Sequence, residues 1–264
     1  MPKLGKFYKF SFVYFLLMLI SFPVFSDAGF PGREKYPDIP FISLDDFHEA
    51  YKNDQYTVVD ARSNFEFNVI QVKGALNLPL NDALFTNKIH DIADKTGKTI
   101  VFYCNGRRCM KSYKAAIKSN LEKVLVFDAG IFEWSQAYPD DTTFLGKSPM
   151  NPDDLISTSK LKEHIIPLDE FESLIMDSVL IDVRTLDMRR GSGLFLLADR
   201  SVPLDNKKKL ERYLQKAIDE DKILLAYDNA GKTIRWLQYH LENKGIKRYY
   251  FMKGGAKYYT YDNQ

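Results

Sequence analysis

The feature that most constrains this chain is that it contains one unit twice. Residues 42–47 (ISLDDF) return as 166–171 (IPLDEF), and 58–62 (VVDAR) as 180–184 (LIDVR). Residues 77–80 (NLPL) return as 201–204 (SVPL), 101–104 (VFYC) as 225–228 (LAYD), and 129–134 (AGIFEW) as 254–259 (GGAKYY). The pairs keep their order at an offset of 122 to 125 residues. A repeat of that length is a domain's worth of chain, so two similar folding units in tandem are expected. The stretch between them is rich in proline and small polar residues and reads as a linker.

Within each copy, short β-branched or aromatic runs alternate with helical stretches. In the first copy the runs at 58–60, 99–103 and 124–127 are expected strands, and 44–52, 82–95 and 108–120 are expected helices. Strands alternating with helices imply an α/β fold with a parallel sheet covered on both faces. In such sheets ligands sit outside the carboxyl ends of the strands, which is where Cys104 falls.

The N-terminus carries a separate signal. Lys3, Lys6 and Lys9 precede an uncharged apolar run over 10–25, and Val24 and Ser26 suit the positions before a cut at Asp27. This predicts a secretory signal peptide over 1–26 and export, in a bacterium to the periplasm. The alternative is an uncleaved anchor, the one circumstance in which a membrane is a partner. The domain boundaries follow as 35–145, a linker over 146–162, and 163–264.

The chain holds 37 basic and 35 acidic residues, and the three basic residues of 1–26 account for the excess. The remainder is slightly acidic, so no nucleic-acid partner is expected. Only two cysteines occur, Cys104 and Cys109, within one loop. Scaffolding disulfides are usually more numerous and more widely spaced. A structural zinc wants four ligands, and no histidine lies nearby in sequence, so no metal is expected.

The loop reads Cys104, Asn105, Gly106, Arg107, Arg108, Cys109. A strand running into Cys104, a turn at Gly106 and a helix starting near Arg107 or Arg108 would aim amides and a helix dipole at the loop. That field would lower the Cys104 thiol pKa, and Arg107 and Arg108 would add positive charge beside it. The expectation is an anion-binding cup with a sulfur nucleophile at its base. Cys109 has two readings, a partner for Cys104 or a small residue on the first helical turn.

At these residues the chain resembles the rhodanese family, in particular its tandem-domain exported sulfurtransferases. The matching features are Asp60 to Arg62, the 73–79 stretch (KGALNLP), the Cys104 loop and the 129–134 segment. The resemblance implies two tandem rhodanese-like domains, each a parallel sheet with helices on both faces. It implies that Cys104 takes sulfane sulfur from a small anionic donor such as thiosulfate. Cys104 would hold the sulfur as a persulfide and pass it to a thiol or other thiophilic acceptor, small molecule or protein. The amides of Asn105 through Cys109 would cradle that sulfur, Asp60 and Arg62 would support the loop, and no cofactor is needed. Many family loops end in arginine where Cys109 stands, which leaves donor preference open. A tyrosine-phosphatase loop would require arginine where Met110 stands.

The second copy places Asp228 where the first has Cys104, which implies a silent domain. Its loop glycine, Gly231, sits one position later than Gly106, so its amides are expected to point differently. Two further function classes remain open: thiol–disulfide exchange by Cys104 and Cys109, and a non-catalytic sulfur-carrier or binding module.

Overall fold

A computed structural model of the chain describes residues 29–189, 193–195 and 198–262. The signal expected over 1–26 lies outside the described residues. Among those described, no helix is long and apolar enough to cross a membrane.

The first half contains strands β1 (Tyr56–Asp60), β2 (Ile70–Val72), β3 (Leu76–Asn77), β4 (Thr99–Tyr103), β5 (Val124–Phe127) and β6 (Thr142–Phe144). Its helices are α1 (Pro31–Lys35), α2 (Leu44–Lys52), α3 (Asn64–Val69), α4 (Phe85–Thr96), α5 (Lys111–Ser119) and α6 (Gly130–Ala137). A parallel sheet runs in the order β3-β1-β4-β5, and β2 and β6 form a small antiparallel ribbon.

The side-chain alternation of a strand divides the core into two faces. Val58, Val101, Tyr103 and Phe127 join Phe47 of α2 and Trp134 of α6 on one face. Val59, Ile100, Phe102 and Val126 join Phe85 and Ile89 of α4 and Ala115 and Ala116 of α5 on the other. Local chemistry sets the helix starts. Ser43 caps α2, and Ser63 and Glu66 form a reciprocal capping box at α3. The expected helix over 82–95 begins later, at Phe85, because Asp82 spends its carboxylate and carbonyl on the turn that precedes it.

The second half contains β7 (Ile165–Ile166), β8 (Ser178–Asp182), β9 (Arg200–Ser201), β10 (Ile223–Tyr227) and β11 (Tyr249–Met252). Its helices are α7 (Thr158–Lys162), α8 (Leu168–Ser173), α9 (Leu186–Arg189), α10 (Lys207–Asp219), α11 (Ile234–Asn243) and α12 (Gly255–Asp262). The strands form a parallel sheet in the order β7-β11-β10-β8-β9. The architecture is α/β, with two parallel sheets flanked by helices.

The inner faces of the two sheets share one continuous core, in which Trp134 and Ile131 lie with Trp236, Leu237 and Phe251. Phe132 of α6 stacks on Trp236 of α11 at 5.4 Å between ring centroids. Across the junction the Tyr239 hydroxyl oxygen accepts the Ile156 N–H at 2.9 Å. Asp205 accepts the N–H of Phe65 at 2.8 Å, so a second-half carboxylate completes the α3 start in the first half.

One ion pair sits at the centre of this arrangement. Arg62 and Asp60 are both fully buried. The Arg62 Nε bonds both Asp60 oxygens at 3.0 Å, and its Nη2 bonds Oδ2 at 2.6 Å. Breaking a buried pair by removing one partner leaves an uncompensated charge, at a cost of about 3–5 kcal/mol. Arg62→Ala is therefore expected to lower stability by roughly that amount, measured by urea unfolding of the full chain. A loss below about 1 kcal/mol, typical of an exposed pair, would contradict this account of the pair.

Candidate functional site

The two cysteines lie at the carboxyl end of β4, the central strand paired with both β1 and β5. The chain leaves β4 at Cys104 and crosses a turn closed by the Cys109 N–H on the Gly106 carbonyl at 2.8 Å. It enters α5 at Lys111. The expected helix start near Arg107 or Arg108 is thus corrected to Lys111. The turn intervenes, and the Cys109 amide is spent on closing it.

Gly130 makes room for this loop. Its φ is +68°, and a Cβ there would lie 2.5 Å from the Gly106 nitrogen and 2.6 Å from the Cys104 carbonyl oxygen. The close approach lets the N–H groups of Ile131 and Phe132 bond the carbonyls of Cys104 and Asn105, at 2.9 and 3.3 Å. The start of α6 therefore clamps the loop from below.

Cys104 is fully buried, whereas Cys109 is partly exposed, and both are free thiols. The Cys104 thiol lies 3.1 Å from the Cys109 carbonyl oxygen, to which it donates, and 3.5 Å from the Ser112 hydroxyl. It also faces the Cys109 sulfur, and the Ser112 N–H points at it. The Cys109 sulfur receives, besides that thiol, the N–H groups of Lys111 and Asn105. The cradle is made by the amides of Asn105, Lys111 and Ser112, which replaces the expected Asn105-to-Cys109 set.

Charge follows the same geometry. Burial and the Cys109 contacts push the Cys104 thiol well above its usual range, reversing the expected lowering. The Cys104 thiol, outweighing burial, and the Lys111 and Asn105 amides hold Cys109 down at about 6. The two thiols titrate as a pair, and their surroundings favour negative charge on the Cys109 side.

Supporting residues reach the loop from three directions. Arg62 donates through Nη1 to the Asn105 side-chain oxygen at 3.2 Å and through Nη2 to the Ile70 carbonyl at 2.6 Å. Its guanidinium lies 5.3 Å from the Trp236 ring centroid. The Asn105 amide in turn donates to Glu66 at 3.1 Å, and Lys111 bonds the other Glu66 oxygen at 2.9 Å. Burial raises the Glu66 carboxyl, but Lys111, Arg62 and the Ser63 N–H outweigh it and hold it at about 2.

Arg107 does not stand beside the sulfurs as expected. It pairs with Glu133, and its guanidinium lies over the Phe30 ring at 4.6 Å. Arg108 is exposed and makes no hydrogen bond or ion pair among the described residues. The cation that acts on Cys109 is Lys111. Lys111, Ser112, Glu66 and Trp236 are thus the site residues that the sequence reading missed. Only Ser63 and Glu66 left a local signal, the spacing of a capping box, and that signal speaks of a helix start.

The second half repeats the frame. Gly255, at φ +65°, would place a Cβ 2.6 Å from the Asp228 carbonyl oxygen. The N–H groups of Ala256 and Lys257 bond the carbonyls of Asp228 and Asn229 at 2.8 and 3.0 Å. Here, though, the Asp228 carboxylate fills the loop, accepting the N–H groups of Ala230, Gly231 and Thr233 at 3.0, 2.5 and 2.5 Å. The later Gly231, itself at positive φ, lets these amides converge on the carboxylate from positions other than those of the Asn105, Lys111 and Ser112 amides in the first loop. A cavity of about 230 Å³ between the halves is lined by Glu66 and Lys111 on one side and by Asp228 and Thr233 on the other.

Two measurements follow from this geometry. The rate of Cys109 alkylation by iodoacetamide should rise with pH through a midpoint near 6 and level off above it. Cys104→Ala should move that midpoint upward, since it removes the thiol that faces the Cys109 sulfur. An unchanged midpoint would show that the thiol contact does not hold the charge. Asp228→Ala leaves buried N–H groups unpaired, each such group costing about 1–3 kcal/mol. It should lower stability by at least about 2 kcal/mol in urea unfolding, and no loss would mean that the carboxylate is dispensable to the loop.

No curated protein matches the chain. Among solved structures, the BH2092 protein of Bacillus halodurans is 20% identical, with 50% of this chain and 94% of that chain covered and a TM-score of 0.36. Thiosulfate sulfurtransferase of Pseudomonas aeruginosa is 19% identical over 86% of this chain, which spans 43% of that longer protein, with a TM-score of 0.38. Protein hp1203 of Helicobacter pylori is 18% identical, with coverages of 42% and 91% and a TM-score of 0.32. Residues 43–137, which include both cysteines, Asp60 and Arg62, match the family model described as a rhodanese-like domain, so over that stretch the chain carries a rhodanese-like domain.

Proposed function

We propose that the chain is a sulfurtransferase that moves sulfane sulfur from a small sulfur-containing anion, such as thiosulfate, to a thiophilic acceptor. The sulfur is held on Cys104 as a persulfide. The observation that carries this reading is the convergence of the Asn105, Lys111 and Ser112 amides on two free thiols at the end of a central strand. Within a rhodanese-like domain, that arrangement suits covalent catalysis on sulfur.

In the transfer, a cysteine sulfur attacks the outer sulfur of the donor. The donor's S–S bond breaks, and sulfite leaves with the electron pair when the donor is thiosulfate. An acceptor thiolate then attacks the terminal sulfur of the persulfide and returns the cysteine. Fixed amides and Lys111 stabilise the negative charge on the terminal sulfur without reorganising at the moment of reaction. Asp60 and Arg62 act through Asn105, which Arg62 holds against Glu66. In this reading the second half is a diverged rhodanese-like domain without a nucleophile. The protein is exported to a bacterial periplasm by the segment over 1–26, and the acceptor is a thiol, free or on a protein.

Mass spectrometry of the purified chain after thiosulfate exposure tests the reading. One added sulfur is expected, located on Cys104 in the loop peptide, and none in Cys104→Ser/Cys109→Ser. A wild-type chain that gains no sulfur and instead closes a Cys104–Cys109 disulfide that exchanges with thiols would replace this reading with thiol–disulfide exchange.

A further inference from the structure

The two sulfurs of the loop differ in what can reach them. Cys104 is fully buried beneath the loop, and its sulfur is surrounded by the Cys109 carbonyl, the Ser112 hydroxyl and the Cys109 thiol. Cys109 is partly exposed on the solvent side of that contact. A donor anion arriving from water meets Cys109 first, and the position that the cradle prepares for negative charge is the one its sulfur now occupies.

We propose that Cys109 is the entry point for sulfur: it takes the sulfane sulfur from the donor and hands it inward to Cys104 across the contact between the two thiols. The relay rests on the sulfur-transfer reading and deepens it, because it assigns a reacting role to a residue that would otherwise only line the loop.

The steps balance without an oxidant or reductant. The Cys109 thiolate attacks the donor's outer sulfur, a new S–S bond forms, and the donor's own S–S bond breaks with sulfite leaving. The Cys104 thiol then gives up its proton, and its sulfur attacks the same outer sulfur. The bond from that sulfur to Cys109 breaks, and its electron pair returns to Cys109, which takes up a proton. One persulfide has replaced another. Cys109 is neutral after the transfer and no longer draws on the amides of Asn105 and Lys111. Those donors then serve the charged terminal sulfur on Cys104, which gives the second step its direction.

Lys111 and Glu66 fit this sequence. Lys111 acts electrostatically on both sulfurs and is anchored at 2.9 Å by the buried Glu66, so its charge stays near the loop as sulfur moves between cysteines. The relay would need no large rearrangement, since the Cys104 thiol already lies 3.1 Å from the Cys109 carbonyl oxygen.

Rapid-quench mass spectrometry with thiosulfate as the probe tests the relay. In the wild-type chain the adduct is expected on Cys109 first and on Cys104 later. Cys104→Ser should still take up sulfur and retain it on Cys109. Cys109→Ser and Cys109→Ala should load Cys104 at least tenfold more slowly, with unchanged circular dichroism establishing that they are folded. Loading of the folded Cys109 variants at the wild-type rate, or a wild-type time course in which Cys104 is labelled first, overturns the relay alone. A wild-type chain that takes up no sulfur overturns the sulfur-transfer reading and the relay with it.

Discussion

The buried Asp60–Arg62 pair connects the sheet, the reactive loop and the junction between the halves. Placing a guanidinium in a protein interior is costly unless nearly every N–H finds a partner. Asp60 supplies most of the compensation, at the carboxyl end of β1. What remains is directed outward: one bond to Ile70, one to Asn105 in the loop, and a face turned to Trp236 from the other half. Because Arg62 has no exposure, it cannot follow solvent when the loop moves. The loop is therefore anchored at Asn105 to a group whose position is fixed by the core.

From that anchor the polar network extends along one direction, from Arg62 to Asn105, Glu66 and Lys111. Each member is satisfied by the next, which is the condition under which a buried network rigidifies a site rather than weakening it. The network ends at Lys111, the first residue of α5, whose amide points at the Cys109 sulfur. The same residue thus contributes a backbone dipole and a side-chain charge to the place where sulfur chemistry is proposed.

Much of this fold was legible in the sequence, and the reasons are specific. The strands at 99–103 and 124–127 are short β-branched and aromatic runs bounded by turn residues, and they appear with those bounds. The repetition of aspartate and arginine at 60 and 62 and at 182 and 184 marked a shared frame, and Arg184 does bind Asp182 as Arg62 binds Asp60. The site was less legible because its partners are distant in sequence. Glu66 lies 39 residues from Asn105 and 45 from Lys111, and the capping-box spacing accounts for only part of its contacts. Trp236 belongs to the other half altogether. The ionisation of the thiols was misjudged for a related reason. A dipole argument depends on where the helix starts, and the turn at Gly106 displaces that start to Lys111. The amide of Lys111 at that start serves Cys109, while burial governs Cys104.

The difference between the halves is narrower than the loss of a cysteine suggests. Both loops are clamped by a glycine at positive φ and by paired N–H groups from the following helix. In both, amides converge on a side-chain acceptor: the Cys109 sulfur in one, the Asp228 carboxylate in the other. A nest of N–H groups with nothing to accept its bonds would be unstable in a buried position, so each loop supplies its own acceptor. The acceptors differ in what they can do next. A carboxylate satisfies the amides permanently and cannot carry sulfane sulfur, so the second loop is a completed structural element. A thiolate satisfies them at rest, can bond to sulfur, and can then release the amides to a persulfide on its neighbour. The two loops share one electrostatic requirement, and reactivity depends on whether the group meeting it can be exchanged.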